Sequence, residues 1–314
     1  MNKINSCAIC ESTGPNFEFA TIKDGYHILK CPFCGIYFVH PQPSEKDLEK
    51  IYSFGKGYFK HSDFNKNVIS PYLEKCLKSL TKNTCKGKKF LDVGSGNGET
   101  VFFAEKMGYD ALGLDINKGA VEKMQKEGIN VINSTLESFN GERSSFDVVY
   151  LGNIIEHVKN PSEFLDKCNF LLKKGGKLLL ATPNTNSFVS KYQLMLTKLF
   201  GIPWGHISPP HHLFEFSDKN LIKLLNSKKF KIEWIQFYTS SFSYSVGNTG
   251  LFKKFKREYG ESRDFFKAWK KNKFKDNIML GVVITLFSLG YLFDKFLGIC
   301  YKGGNVMTAL AVKK

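Results

Sequence analysis

At 314 residues, with 42% hydrophobic and 14% aromatic side chains, the chain holds enough apolar surface for one large core or two domains, which excludes a disordered protein. Its 45 lysines and arginines against 29 aspartates and glutamates give a formal charge of +16, which admits an anionic partner (nucleic acid, acidic lipid or a phosphorylated substrate) without choosing among them. The first residues, MNKINSCAICEST, hold no apolar export signal, so the eight cysteines are expected as thiols or thiolates in the cytoplasm.

Four cysteines come first in chain order, as two pairs, Cys7 with Cys10 and Cys31 with Cys34, separated by 20 residues. Each Cys-x2-Cys turn aims two sulfurs at one point, and two such turns supply the tetrahedral S4 set that Zn2+ prefers, with no position left open for chemistry. Residues 1–43 therefore read as a structural zinc ribbon. Gly35 follows the second pair and permits a left-handed backbone; Glu11 holds the equivalent place after the first. Cys76, Cys85, Cys168 and Cys300 are scattered and read as core residues. A proline cluster ends the ribbon, and residues 44–87 read as a helical connector.

From Lys89 the pattern becomes strand, glycine turn, helix, repeated: KFLDVG, ETVFFAEKMG, DALGLDI, KGAVEKMQKEG, INVIN. FDVVYLG and KLLLAT add two strands, with the helix PSEFLDKCNFLLKKGG between them ended by Gly175-Gly176. FKIEWIQFY and the terminal NVMTALAV complete the count. The alternation predicts an α/β fold, a doubly wound, mostly parallel seven-stranded sheet of Rossmann-like type.

The glycines of KFLDVGSGNGET prepare the backbone to approach a nucleotide-like ligand. A dinucleotide site reads G-x-G-x-x-G, whereas here Gly94, Gly96 and Gly98 alternate, with Asp92 two residues before them and Asp115 ending the next strand 21 residues beyond Gly94. On these residues the chain resembles the class I S-adenosylmethionine-dependent methyltransferases, whose first motif looks like LDVGSGNG and whose fifth strand leads into PN. The resemblance covers residues 88–240 and the last strand, 303–314. It implies that Asp92, Gly94, Ser95, Gly96 and Gly98 cradle the methionine part of S-adenosylmethionine and that Asp115 holds the ribose. Ile116 and Asn153 join this donor-contacting set; Thr135 stands where relatives carry an acidic residue toward adenine, and Leu136 packs near the ring.

The segment NIIEHVKNP follows the fourth strand at the carboxyl edge of the sheet, where open α/β folds place substrates. Glu156 or His157 can reach the cleft from there, His157 as a general base or as a cap and packing group of the helix it precedes. The segment is similar to the EH turn of ubiquinone-biosynthetic O-methyltransferases, in which a Glu three residues earlier joins a divalent-metal site; Asn153 stands there in this chain. A second candidate is WGHISPPHHLFEFS, with His206, His211 and His212. It is similar to a lid found in methyltransferases associated with bacterial surface-glycan genes. His211 or His212 either faces substrate or docks the loop.

Residues 241–302 form an insert, first basic, with ten Lys/Arg against four Asp/Glu, then apolar over the 17 uncharged residues Asn277–Phe293. It reads as a helix lying on an anionic membrane surface through residues 251–300, or as a helical hairpin covering the active site. The reading that follows is a methyltransferase for a small-molecule acceptor, a sugar or lipid-linked glycan intermediate, with O-methylation favoured and a peripheral place on the inner face of the membrane. An RNA methyltransferase and a non-catalytic binding protein are the alternatives. Nucleic acid is disfavoured because the positive charge gathers beside an apolar helix rather than in an aromatic-interleaved groove. The oligomeric state is left open.

Overall fold

Period-two alternation along KFLDV, FDVVYLG and KLLLATP sends successive apolar side chains to opposite faces, which requires a sheet covered on both sides. The computed structural model describes residues 6–13, 16–44, 46–48, 71–80, 84–200, 204–239 and 304–314, with positions 51, 66, 69, 285, 289 and 292. In chain order these form β1 (Glu18–Lys23), β2 (Tyr26–Lys30), β3 (Tyr37–His40), α1 (Pro71–Ser79), β4 (Lys89–Val93), α2 (Glu99–Lys106), β5 (Asp110–Asp115), α3 (Lys118–Lys126) and β6 (Val131–Asn133). There follow β7 (Phe146–Gly152), α4 (Pro161–Leu171), β8 (Leu172–Pro183), α5 (Phe188–Phe200), β9 (Phe214–Glu215), α6 (Asp218–Ser227), β10 (Phe230–Tyr238) and β11 (Val306–Lys313).

The main sheet has seven strands in the order β10-β11-β8-β7-β4-β5-β6, as expected for the Rossmann-like class. Neighbours from β8 to β6 pair in parallel, and β11 runs antiparallel between β8 and β10. Phe90, Val148, Tyr150 and Leu179 pack with α1, α2 and α3 on one face; Leu91, Val149, Leu151 and Leu178 pack with α4 and α6 on the other. From central β4 the chain winds outward to β5 and β6, then returns to β7 and winds the other way. The loops after β4 and β7 therefore part at the carboxyl edge and leave a crevice.

One boundary differs from the sequence reading. Helix α4, capped by Asn160 with Pro161 in its first turn, ends at Leu171 rather than at Gly175-Gly176. Leu172 is already extended and pairs with Phe146, and Gly175 makes its left-handed turn inside β8. Burial of Leu172 in the sheet, a tertiary gain, outweighs four more residues of helix. Cys76, Cys85 and Cys168 are buried in the core as expected. Of the connector, residues 46–48 and α1 are helical, and 52–65 lie outside the described residues. The insert 241–302, with Cys300, also lies outside them except at Thr285, Leu289 and Leu292. No helix among the described residues is long and apolar enough to cross a membrane.

The ribbon strands form a meander whose β1–β2 turn, Asp24-Gly25, has φ of 50° and 82° at its two residues, the geometry that matches hairpin twist. The free edge of β3 does not face solvent: it pairs with β9, pairing Tyr37 with Glu215 and Phe38 with Phe214. The ribbon sheet thus takes its fourth strand from the loop between the fifth and sixth strands of the methyltransferase-like sheet. Val39 N donates to Leu213 O at 3.0 Å, and the Tyr37 ring meets Trp204 edge-on at 5.0 Å. Lys23, buried at the end of β1, donates to the carbonyls of Trp204 (2.9 Å) and Ile207. Residues 204–217 are therefore clamped between ribbon and sheet.

Candidate active site

The four ribbon sulfurs lie within 4.8 Å of one another, with Cys7 Sγ 3.7 Å from Cys34 Sγ and Cys10 Sγ 3.8 Å from Cys31 Sγ. These separations are too long for disulfides. They equal the edge of a tetrahedron with Zn–S bonds of about 2.3 Å, an edge of about 3.8 Å, so the donor set fits Zn2+ in a structural site. The two turns are equivalent. Glu11 N donates to Cys7 O and Gly35 N to Cys31 O, each at 2.9 Å, and Glu11 and Gly35 both take left-handed backbones, φ 57° and 74°. Glu11 departs from Gly35 in residue type, not in conformation. The Cys34 thiol, donating to Cys7 Sγ, holds Cys7 down at about 5, while that contact and burial push Cys34 up. The pair shares a proton that a bound cation would displace.

The loop from β4 to α2 is left-handed at Gly94, Gly96 and Gly98, φ 74°, 57° and 78°. A Cβ on Gly94 would stand 2.2 Å from Ile154 Cδ1, so the glycine lets the loop after β7 close onto the loop after β4. Asp115, at the end of β5, ties the turn down: its Oδ2 accepts from Gly96 N and its Oδ1 from Asn117 N, both at 2.8 Å. A carboxylate has further lone pairs beyond these two bonds. Ser95 Oγ is buried with no hydrogen-bond partner, an orphaned hydroxyl beside the turn, as expected where a polar ligand completes the site. Asp92 is 2% exposed; burial, then the charge of Asp115, pushes its pKa up to about 8. Ile116 is an exposed apolar side chain next to Asp115. Thr135 accepts from Ser138 N at 3.1 Å and caps the turn after β6, Leu136 lies in the core, and exposed Asn153 has φ 56° and donates its N–H to Ala181 O.

The two histidine-bearing segments meet. Leu213 N and Phe214 N both donate to Glu156 O, at 2.8 and 3.1 Å, which lays the lid on the turn after β7. Glu156, 1% exposed, accepts from Thr182 Oγ1 at 2.9 Å through Oε2, while Oε1 has no hydrogen-bond partner and lies 3.9 Å from His157 Nε2. His157 Nδ1 lies 2.9 Å from His211 O; a carbonyl only accepts, so Nδ1 carries the proton and Nε2 keeps its lone pair. The His157 and His212 rings meet edge to face at 4.9 Å. His212 Nδ1 is 2.9 Å from Glu215 Oε1, and His206 Nε2 is 3.6 Å from Glu215 Oε2. Single donor atoms of Glu156, His157 and His212 lie within 4.8 Å of one another.

Burial dominates the electrostatics. It raises Glu156 to about 7, lowers His157 to about 3, with the neighbouring His212 adding to the effect, and lowers His206 to about 4. His212 is pulled down by burial, but the charge and hydrogen bond of Glu215, with Glu156, more than offset that and leave it raised. His157 is therefore neutral at neutral pH, whereas Glu156 changes its protonation there. Sequence reading placed Glu156, His157, His211 and His212 in two separate regions; it missed Thr182, Glu215 and Ile154. Thr182, just before PN, and Glu215, inside HHLFEFS, carry no local pattern that sets them apart.

The family model described as a methyltransferase domain matches residues 64–233, more than half of the chain. The ubiquinone biosynthesis O-methyltransferase of Coxiella burnetii (strain Dugway 5J108-111) is 31% identical over 109 residues, 33% of this chain and 47% of that protein. The mitochondrial ubiquinone biosynthesis O-methyltransferase of Dictyostelium discoideum is 27% identical over 213 residues, 60% of this chain and 64% of that one. The chain thus spans about half the length of the first of these curated relatives. In fold it is similar to the crystal structure of the [4+2]-cyclase SpnF, with a TM-score of 0.52 and 14% identity over 87% of this chain and 98% of that one. A cyclase on this architecture is a reminder that the fold alone does not fix the reaction. Strand order, glycine turn and the reach of the family match agree: the chain belongs to the class I S-adenosylmethionine-dependent methyltransferases.

Proposed function

We propose that the protein transfers a methyl group from S-adenosylmethionine to an oxygen of a small-molecule acceptor, a sugar or glycan intermediate. The observation that carries the reading is the convergence, at one edge of the sheet, of the glycine turn tied by Asp115 with the Glu156–His157–His212 cluster. The names of the two ubiquinone O-methyltransferases favour an oxygen acceptor. S-adenosylmethionine supplies a methyl on a sulfonium that leaves as a neutral thioether, so the protein's task is alignment and removal of the acceptor's proton. His157 Nε2 takes that proton, His211 O holds the ring in the needed tautomer, and the carboxylate of Glu156 stabilises the imidazolium. Thr182 orients Glu156. The four ribbon cysteines hold Zn2+, which cross-links the ribbon.

Methyl-labelled S-adenosylmethionine offered with nucleotide-sugar, lipid-linked sugar and RNA fractions tests the reading. Label in a sugar fraction supports it; label only in RNA, or in none, overturns it. His157→Asn is expected to lower kcat by about 10²- to 10³-fold while donor affinity stays the same; a kcat within about threefold of wild type would remove His157 as the base. At saturating donor, kcat is expected to rise through pH 7 and level above it. Glu156, raised to about 7, is neutral below that pH and cannot stabilise the imidazolium, whereas His157, lowered to about 3, is neutral throughout.

Donor binding carries its own pH signature. Asp92, raised to about 8, must lose its proton to face the cationic methionine portion, so affinity falls as pH drops below 8, by up to about tenfold per unit, and is flat above it. Titration calorimetry at pH 7 in buffers of different ionisation enthalpy should register close to one proton released per donor bound. Zero release would mean that Asp92 does not meet the cation.

A further inference from the structure

Where the ribbon meets the methyltransferase sheet, the structure forms a partly open cavity of 230 Å³ whose space the reading above leaves unused. At roughly 30 Å³ per liquid water it has room for seven or eight waters, the space of a small polar group. Its walls come from five places: Lys30, Tyr37 and the zinc-set Cys34 of the ribbon, Asn186 after β8, Lys191 of α5, Trp204 of the lid, and Ser217 and Lys219 at the start of α6. Three lysines and no carboxylate line it. Lys30 is engaged by Glu18 at 3.2 Å, and Asp218, next to Ser217, is held by Asn186 Nδ2 at 2.6 Å. Lys191 and Lys219 are exposed and have no carboxylate partner among the described residues. Ser217 is also the N-cap of α6, where its side chain accepts from Asn220 N and the Asn220 side chain accepts from Ser217 N, so the positive charge of this wall comes from its lysines.

We propose that this cavity binds a phosphate or diphosphate group of the acceptor. Its position suits that task. Thr185, on its wall, lies in the turn that follows β8, three residues along the chain from Thr182, the partner of Glu156. Because the cavity closes only when the ribbon and lid are in place, acceptor binding depends on the ribbon, whereas donor binding does not. Lysine rather than arginine suits a group held as a charge, without a fixed bidentate geometry.

The proposal rests on the reading of the protein as a small-molecule methyltransferase, but its test needs no turnover, so the two can fail separately. Full-length protein with its zinc is titrated at physiological salt with inorganic diphosphate, with uridine diphosphate, and with phosphatidylcholine vesicles carrying farnesyl diphosphate. Saturable binding to at least one probe is expected, weakened tenfold or more in Lys191→Gln/Lys219→Gln, with S-adenosylhomocysteine affinity and zinc content unchanged. Tighter binding of uridine diphosphate than of diphosphate points to a nucleotide-linked acceptor, and preference for the vesicles to a lipid-linked one. The proposal is overturned if no probe binds or if the double substitution leaves binding intact. It is equally overturned if that substitution lowers zinc content instead, since the lysines would then serve to offset the thiolates.

Discussion

Cys31→Ser is expected to abolish methyl transfer, by at least about 100-fold, while donor affinity changes by less than about threefold. Structural Zn2+ contributes about 10–16 kcal/mol in isolated zinc-finger peptides, as much as the whole stability of an ordinary domain, so a ribbon missing one of four thiolates does not hold its three strands. What is lost with it is the lid's scaffold: β3 no longer pairs with β9, Val39 no longer donates to Leu213, and Lys23 no longer reaches the carbonyls of Trp204 and Ile207. His212 and Glu215 sit in that lid and His157 is oriented by His211 O, whereas Asp92 sits on β4, Gly94 in the loop from β4 to α2 and Asp115 on β5, away from the ribbon strands. Metal analysis, turnover and S-adenosylhomocysteine titration on one preparation separate the two. Lys23→Met keeps all four thiolates and strips two buried carbonyls of their donor, at about 1–3 kcal/mol each; it should keep its zinc and lose about tenfold or more in transfer. Full transfer by zinc-free protein would sink the argument.

The second large effect is on the donor side. Gly94→Ala should weaken S-adenosylhomocysteine binding by about 100-fold or more. The new Cβ stands 2.2 Å from Ile154 Cδ1 and 2.9 Å from its Cγ1, and isoleucine, branched at Cβ, has few rotamers in which to step aside. Overpacking costs about 1–3 kcal/mol, and a left-handed backbone on a residue with a Cβ about 1–2 more. Gly128→Ala is the control: φ is +79°, but nothing lies within 4 Å of the added carbon, so it carries the backbone cost without the clash. It should lower the melting temperature by a few degrees and leave donor affinity alone. Equal affinities for the two variants would show that backbone strain, not closure of the β4 and β7 loops on each other, governs the site.

The sequence by itself determined every feature whose physics is local. Sulfurs three residues apart converge on one point, period-two and period-3.6 apolar patterns place β4 to β8 and their helices, and alternating glycines can only mark a left-handed turn. Those signals located the four-cysteine cluster, the strand order's raw elements and the glycine loop after β4, with Asp92 and Asp115 beside it. Even Glu11, an unexpected residue for its place, could not change a turn fixed by two backbone hydrogen bonds.

Tertiary structure decided the rest. That β9, two residues long, would complete the ribbon sheet is invisible in sequence, because a pairing of Phe38 with Phe214 has no periodicity and depends on which edge is left open once both sheets have formed. That Glu156, Thr182, His212 and Glu215 would meet in one buried cluster depends on the same docking. The protonation of Glu156 follows from it: a carboxylic acid acquires a shifted pKa only when the folded chain removes its water and supplies its neighbours, and here His212 and Thr182 are remote along the chain.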